Sequence, residues 1–216
     1  MTIISISQKS QCPIFTLKPS CPKLLLSFQR ELNTYDTQQL QNEAHHRISS
    51  LNPEQRAIFD SIEVASTQLN PAPIFIGASP GTGKSYLLNT ILSYFRSQGK
   101  VSLACASTAS ASLLLNGGKT LHAQFKVPIN INEDSVCNIK RGSRLAELIL
   151  VASIIIIDEV TMISRHVLEA LDRTLRDLKR NPNGIFGGIP VVLSGRNILI
   201  LCMWPGPFYD LFNVLR

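Results

Sequence analysis

The stretch APIFIGASPGTGKSYLLNTIL, Ala72 to Leu92, joins an apolar run, a small-residue loop and a Lys-Ser pair to a helical pattern. The pattern [AG]-x-x-x-x-G-K-[ST] is met by Ala78, Gly83, Lys84 and Ser85, with alanine in place of the usual first glycine. A strand that feeds such a loop, with a helix starting at its end, aims backbone N–H groups at an anion. Gly81 and Gly83 let the backbone wrap without Cβ clashes, Thr82 lies between them, Lys84 supplies a mobile cation, and the Ser85 hydroxyl suits Mg²⁺. The alternative is a glycine-rich strand-to-helix turn.

Such a loop needs a carboxylate group, and SIIIIDEVTM provides one. Four isoleucines make a buried strand, and Asp158 emerges at its C-terminal end, where parallel sheets present ligands. Asp158 suits Mg²⁺ through water, and Glu159 beside it is placed to orient or deprotonate an attacking water. Together these halves imply ATP, Mg²⁺ and hydrolysis.

The rest of the pattern places these motifs on an α/β fold. Strands are expected at 73–77, 101–106, 153–157 and 190–193, with helices at 53–66, 84–97 and 165–179. Leu87, Leu88, Ile91, Leu92 and Phe95 share one helical face; Val167, Leu168, Leu171, Leu175 and Leu178 share another. With the loop motif, strand–helix–strand alternation predicts a P-loop NTPase of the α/β class, with a mostly parallel sheet and helices on both faces. The charges Glu169, Asp172, Arg173, Arg176 and Asp177 read as a solvated helix face. Residues 1–50, with two Cys-Pro pairs and a Gln/Asn-rich segment, read as a leader that is partly disordered or packed as an appendage; residues 51–216 read as the ATPase domain.

Composition narrows the class. At 216 residues, 44% hydrophobic and 17% charged, the chain is globular and too short for two motor domains. Net charge is +6, and no acidic residue occurs between Glu63 and Glu133, a span that includes Lys84, Arg96, Lys100, Lys119 and Lys126. That stretch fits a polyanion or a solvated basic face. Cys12, Cys21, Cys105, Cys137 and Cys202 have no CxxC spacing and an odd count, against a disulfide framework or zinc site. The adjacent His45 and His46 read as surface residues. The longest apolar run, Leu148 to Ile157 broken by Ser153, is far below the ~20 residues of a membrane span. We expect an intracellular chain that does not enter a membrane.

In order along the chain, LNPEQ, GASPGTGKS, ACASTASASLLLNGGKTLHAQFKVPI, CNIKRGSRLAEL, IIIIDEVTM, LEALDRTLRDL and FGGIPVVLSG resemble the Pif (petite integration frequency) family of DNA helicases, including its Helitron-associated branch. The resemblance runs from about Leu51 to Gly195. It implies a superfamily-one helicase that moves 5′ to 3′ on single-stranded DNA, using ATP and Mg²⁺ between two RecA-like domains. It further implies a monomer in the nucleus with roles in DNA recombination, repair and telomere maintenance. By position, Gln55 falls in the adenine-reading motif. Asn52 and Gln55 are also spaced as a capping box, so Gln55 has a structural reading too. Thr108, His122 and Phe125 fall in segments the family places near single-stranded DNA, and Lys126 suits a phosphate backbone. Phe125 has two readings, a stacking surface and a core residue.

The chain departs from the family after Gly195. A γ-phosphate-sensing glutamine is expected in the family, whereas this chain reads SGRNILILCMWPG. With a two-residue gap Arg196 and Asn197 take the Arg and Gln positions; without it Leu199 takes the sensor position. Ala109 and Cys105 also stand where the family commonly has glycine and threonine. The chain reads as the first motor domain of such a helicase, whose second RecA-like domain is needed for full activity. An arginine finger is worth about 10³ to 10⁵ in rate in P-loop enzymes, so slow turnover is expected. The second reading is a non-catalytic ATP- and DNA-binding remnant of a transposon-derived helicase. An unrelated P-loop kinase or GTPase is disfavoured, because no Asn/Thr-Lys-x-Asp base-reading motif occurs.

Overall fold

A computed structural model describes residues 37–196 and 213–215. Its helices are α1 Thr37–Ser49, α2 Pro53–Ala65, α3 Lys84–Ser97, α4 Ala109–Leu113, α5 Leu121–Phe125, α6 Arg144–Leu150 and α7 Arg165–Lys179. The strands are β1 Ile74–Gly77, β2 Val101–Ala106, β3 Lys119–Thr120, β4 Ala152–Asp158, β5 Val191–Gly195 and β6 Asn213–Leu215. Short 3₁₀ turns cover Val160–Met162 and Ile185–Gly188.

The strands form one sheet in the order β3-β2-β4-β5-β1-β6, and every pairing is parallel. Crossovers between parallel strands run through helices, which cover both faces. The four isoleucines of β4 divide by the strand period of two. Ile155 and Ile157 pack with Leu171, Leu175, Leu121 and Phe125 on one face, and Ile154 and Ile156 pack with Leu88, Ile91 and Ile62 on the other. All four are fully buried.

The long predicted helices are present with their boundaries nearly unchanged. Asn52 caps α2 and Pro53 begins it, as Pro at the first helical position does well. Three findings bear on the sequence expectations. First, within the segment read as a leader that is partly disordered or packed as an appendage, residues 37–49 form a helix. Helix α1 packs on α3, with Ala44 buried, Gln41 Nε2 donating to Ser97 O at 3.4 Å and the Arg47 guanidinium 5.4 Å from the Tyr86 ring centroid. Second, Asp172 is not on the solvated face of α7 but buried. Its carboxylate accepts Phe186 N–H at 2.6 Å and pairs with Arg176 at 2.7 Å, which holds the 185–188 turn against the helix. Third, Phe125 is fully buried in the core cluster around Leu121 and Ile157, so its stacking role is corrected to a core role. Thr120 caps α5 by accepting Ala123 N–H, and this fixes the rotation that turns Phe125 inward.

His45 and His46 are exposed, and Cys105 and Cys137 are buried free thiols. Cys12, Cys21 and Cys202 lie outside the described residues, as do the sensor candidates Asn197 and Leu199. Among the described residues, no helix is long and apolar enough to cross a membrane.

Burial pushes the Cys105 and Cys137 thiols up from the ordinary thiol range. Cys105 is fully buried in β2, and its thiol donates to Ile156 O at 3.4 Å. An unfolded chain releases such a proton near pH 8.5, whereas the folded chain keeps it. The folded state therefore binds more protons above that pH, and stability falls as pH rises. The loss approaches about 1.4 kcal/mol per pH unit for one fully shifted group. Lys179, whose pKa burial lowers, works in the opposite direction. Thermal melts in reductant should therefore show Tm dropping from pH 8 to 9.5, with a shallower slope for Cys105→Ala. Equal slopes would remove Cys105 as the cause.

Candidate nucleotide and polynucleotide site

The loop between β1 and α3 is shaped by its glycines. Gly81 and Gly83 have φ of 81° and 85°, in the left-handed region that side chains resist. A Cβ on Gly83 would stand 2.7 Å from Gln55 Nε2, the end of a flexible side chain that can shift, so it is the left-handed backbone that calls for glycine here. Thr82 Oγ1 donates to Ser79 O at 2.8 Å and closes the loop on itself. Lys84 Nζ lies across it, donating to Ala78 O at 2.9 Å and Ser79 O at 3.4 Å.

A cleft of about 230 Å³ opens beside this loop. Asn52, Gln55, Thr82, Gly83 and Lys84 are among its lining residues, with Ile58 and Leu87 forming apolar wall. Gly81 and Ser85 belong to the same loop and the first turn of α3. Gln55 completes the capping box, which is the structural reading of its position, and it also lines the cleft. Its backbone N–H donates to Asn52 Oδ1 at 2.8 Å and its Oε1 accepts Asn52 N–H at 3.3 Å. Its Nε2 also donates to Thr82 O at 3.1 Å, a tie to the phosphate loop that spacing alone did not reveal.

Asp158 and Glu159 sit at the same edge of the sheet. Register pairs Gly77 with Gly195 and Ile157 with Leu193, so the ends of β1, β5 and β4 are level. Two inter-strand steps separate β1 from β4, about 10 Å between backbones. The side chains of Ser85 and Asp158, a hydroxyl and a carboxylate, form the hard oxygen set that suits Mg²⁺. Asp158 is 3% exposed, and its Oδ1 accepts hydrogen bonds from Glu159 N–H at 2.8 Å and from the Ser194 hydroxyl. Ser194, fully buried on β5, is a positioning group that the sequence did not mark. The only local signal was a Ser-Gly pair closing an apolar strand.

Glu159 takes a left-handed backbone, φ 51° and ψ 42°, immediately before a 3₁₀ turn. For a non-glycine residue this conformation costs about 1 to 3 kcal/mol and persists only where the surroundings impose it. The bond from its N–H to Asp158 and the one from Met162 N–H to its carbonyl, 3.1 Å, do so here.

At the other end of the sheet edge lie the candidate polynucleotide groups. Thr108 caps α4, accepting Ala111 N–H at 3.2 Å, and follows β2 directly. His122 and Lys126 are exposed on and just after α5, which follows β3. Lys126 also has a left-handed backbone, φ 53°, and its carbonyl accepts Asn138 N–H at 2.9 Å. The fold brings Thr108, His122 and Lys126 to the β2–β3 end and leaves Phe125 in the core.

These motifs and this sheet order agree with the comparisons to known proteins. Residues 50–207 match the PIF1-like helicase family. The chain belongs to that family. Over 134 residues it is 36% identical to the ATP-dependent DNA helicase PIF4 of Trypanosoma brucei brucei, covering 59% of this chain and 16% of that protein. Over 148 residues it is 28% identical to the ATP-dependent DNA helicase Pif1 of Campylobacter jejuni, covering 63% of this chain and 32% of that one. Among solved structures, the Bacteroides Pif1 complex with ADP-AlF₄ superposes with a TM-score of 0.57 at 25% identity, covering 76% of this chain and 41% of that one. The chain thus spans less than a third of the length of either PIF1-like relative.

Proposed function

We propose that this domain is the ATP-binding motor domain of an ATP-dependent DNA helicase that moves 5′ to 3′ on single-stranded DNA. The observation that carries the reading is the alignment of two motifs across one sheet edge: the glycine-shaped loop ending in Lys84 and Ser85, and Asp158 with Glu159 two strands away.

In this reading the N–H groups at the start of α3 and the Lys84 ammonium bind the β- and γ-phosphates. Mg²⁺, when bound, neutralises charge on those phosphates. Ser85 and Asp158 would hold it, while Ser194 keeps the Asp158 carboxylate aimed. Glu159 takes a proton from the attacking water, which is the step that separates a hydrolase from a nucleotide-binding protein. Gln55 borders the base. Thr108, His122 and Lys126 contact the DNA backbone, where hydroxyls and cations serve better than apolar groups. A second RecA-like domain supplies the arginines and the other half of the DNA track, and opening and closing between the two domains drives movement.

The test combines binding of a fluorescent ATP analogue with a coupled ATPase assay, each with and without single-stranded DNA. The expected result is saturable, Mg²⁺-dependent binding that prefers ATP to GTP, with slow turnover that DNA raises. Binding without turnover would assign this chain a non-catalytic ATP- and DNA-binding role, and a GTP preference would overturn the helicase reading.

A further inference from the structure

We propose that Asn89 is a positioning residue that couples the nucleotide site to the polynucleotide-facing segment 108–126; this rests on the function proposed above. Asn89 stands on α3, the helix that Lys84 begins, about 7.5 Å along the axis from the phosphate loop. Both ends of its amide are used. Nδ2 donates to Leu114 O at 2.8 Å and Oδ1 accepts Asn116 N–H at 2.8 Å. About two turns further along α3, Arg96 Nη1 donates to Asn116 O at 2.8 Å and Nη2 to Ser102 O at 3.3 Å. One helix thus grips a single turn of backbone from both sides of Asn116.

That turn joins the two halves of the candidate DNA surface. Upstream is α4 with its Thr108 cap; downstream are β3, the Thr120 cap and α5 with His122 and Lys126. The turn has little freedom of its own. Leu115 is 3% exposed and packs with Leu87, Leu88 and Ile91, while a Cβ on Gly118 would come within 2.3 Å of Ser112 O. Asparagine is a poor interior helix residue, and this one is only half-buried, so neither propensity nor core packing calls for it. Its two bonds, each 2.8 Å, tolerate only a few tenths of an ångström of relative motion. A displacement of α3 when phosphate fills the loop therefore carries the turn with it or breaks both bonds. Helix and turn form the kind of contiguous hydrogen-bonded element through which two sites bias one another.

A purely structural role would lower stability, or both affinities, without touching the linkage between them. The affinity for fluorescein-labelled oligothymidylate is measured with and without a non-hydrolysable ATP analogue and Mg²⁺, and the ratio of the two is the coupling. In the wild type the ratio is expected to be at least about fivefold in either direction. In Asn89→Leu, which keeps the branched shape and removes both bonds, it should fall within about twofold of one. The affinity for each ligand alone should stay within about twofold of wild type. Asn89→Asp keeps the acceptor for Asn116 and loses the donor to Leu114, so it should give an intermediate ratio, and it carries the test if the leucine variant fails to fold. A ratio near one in the wild type, or an unchanged ratio in both variants, overturns the proposal. Failure of the wild type to bind either probe overturns the proposed function instead, and the coupling with it.

Discussion

Replacing Glu159 with glutamine is expected to cut ATP turnover by about 10² to 10⁴ while leaving nucleotide affinity within about twofold. The two side chains have the same shape, so the strained backbone at φ 51° and its bonds to Asp158 and Met162 survive the change. What is lost is the carboxylate that, in the proposed function, accepts a proton. The loss should appear in the turnover number with DNA present and leave binding of a fluorescent ATP analogue intact. Asp158→Asn serves as the contrast. That change weakens the carboxylate's hold on the metal, so affinity in Mg²⁺ should fall together with rate. If Glu159→Gln turns over ATP as fast as the wild type, Glu159 is not the base, and a DNA-stimulated signal would have to come from a group elsewhere. If neither protein shows turnover, the chain is a binding module.

Much of this geometry could be read from residues in a row, because the elements concerned are long enough to show a period. The five apolar positions of α7 and the four isoleucines of β4 fall where their spacing puts them. Helices α4 and α5 have five residues each, too few for a 3.6-residue repeat to register. Their threonine caps were the only local signal, and missing the Thr120 cap is what left Phe125 open between surface and core. Asp172 misled for a different reason. Its i,i+4 partner Arg176 is real, yet the 185–188 turn folds back over the helix and encloses the Asp172 carboxylate, and nothing within α7 announces that. Ser194 needed the sheet order itself. Only once β5 lies between β1 and β4 does a small hydroxyl on β5 become the partner of Asp158. The same holds for Gln55, whose tie to Thr82 depends on how α2 approaches the loop rather than on the capping-box spacing.

The phosphate loop offers a second large effect. Lys84→Ala is expected to weaken ATP binding about 100-fold, corresponding to about 3 kcal/mol. The Lys84 ammonium donates to two loop carbonyls, Ala78 O and Ser79 O. Those carbonyls are partial charges, and exchanging them for phosphate oxygens replaces neutral acceptors with anionic ones. Each such charge-assisted bond contributes about 1.5 to 3 kcal/mol, which sets the scale of the loss. The carbonyls released in the alanine variant lie on a loop open to water, so its melting temperature should stay within a few degrees of wild type. Affinity then falls without unfolding. Lys84→Arg should not restore binding. Its planar fork is larger than an ammonium and cannot settle between the two carbonyls, with the left-handed turns at Gly81 and Gly83 fixing the loop around it. The loss should shrink from ATP to ADP and vanish for AMP if, as proposed, the ammonium acts on the β- and γ-phosphates and not on the base. Titrating the three nucleotides into both proteins therefore locates the phosphates as well as weighing the lysine. An equal loss for AMP would put the cation against the α-phosphate and the base in a different part of the cleft.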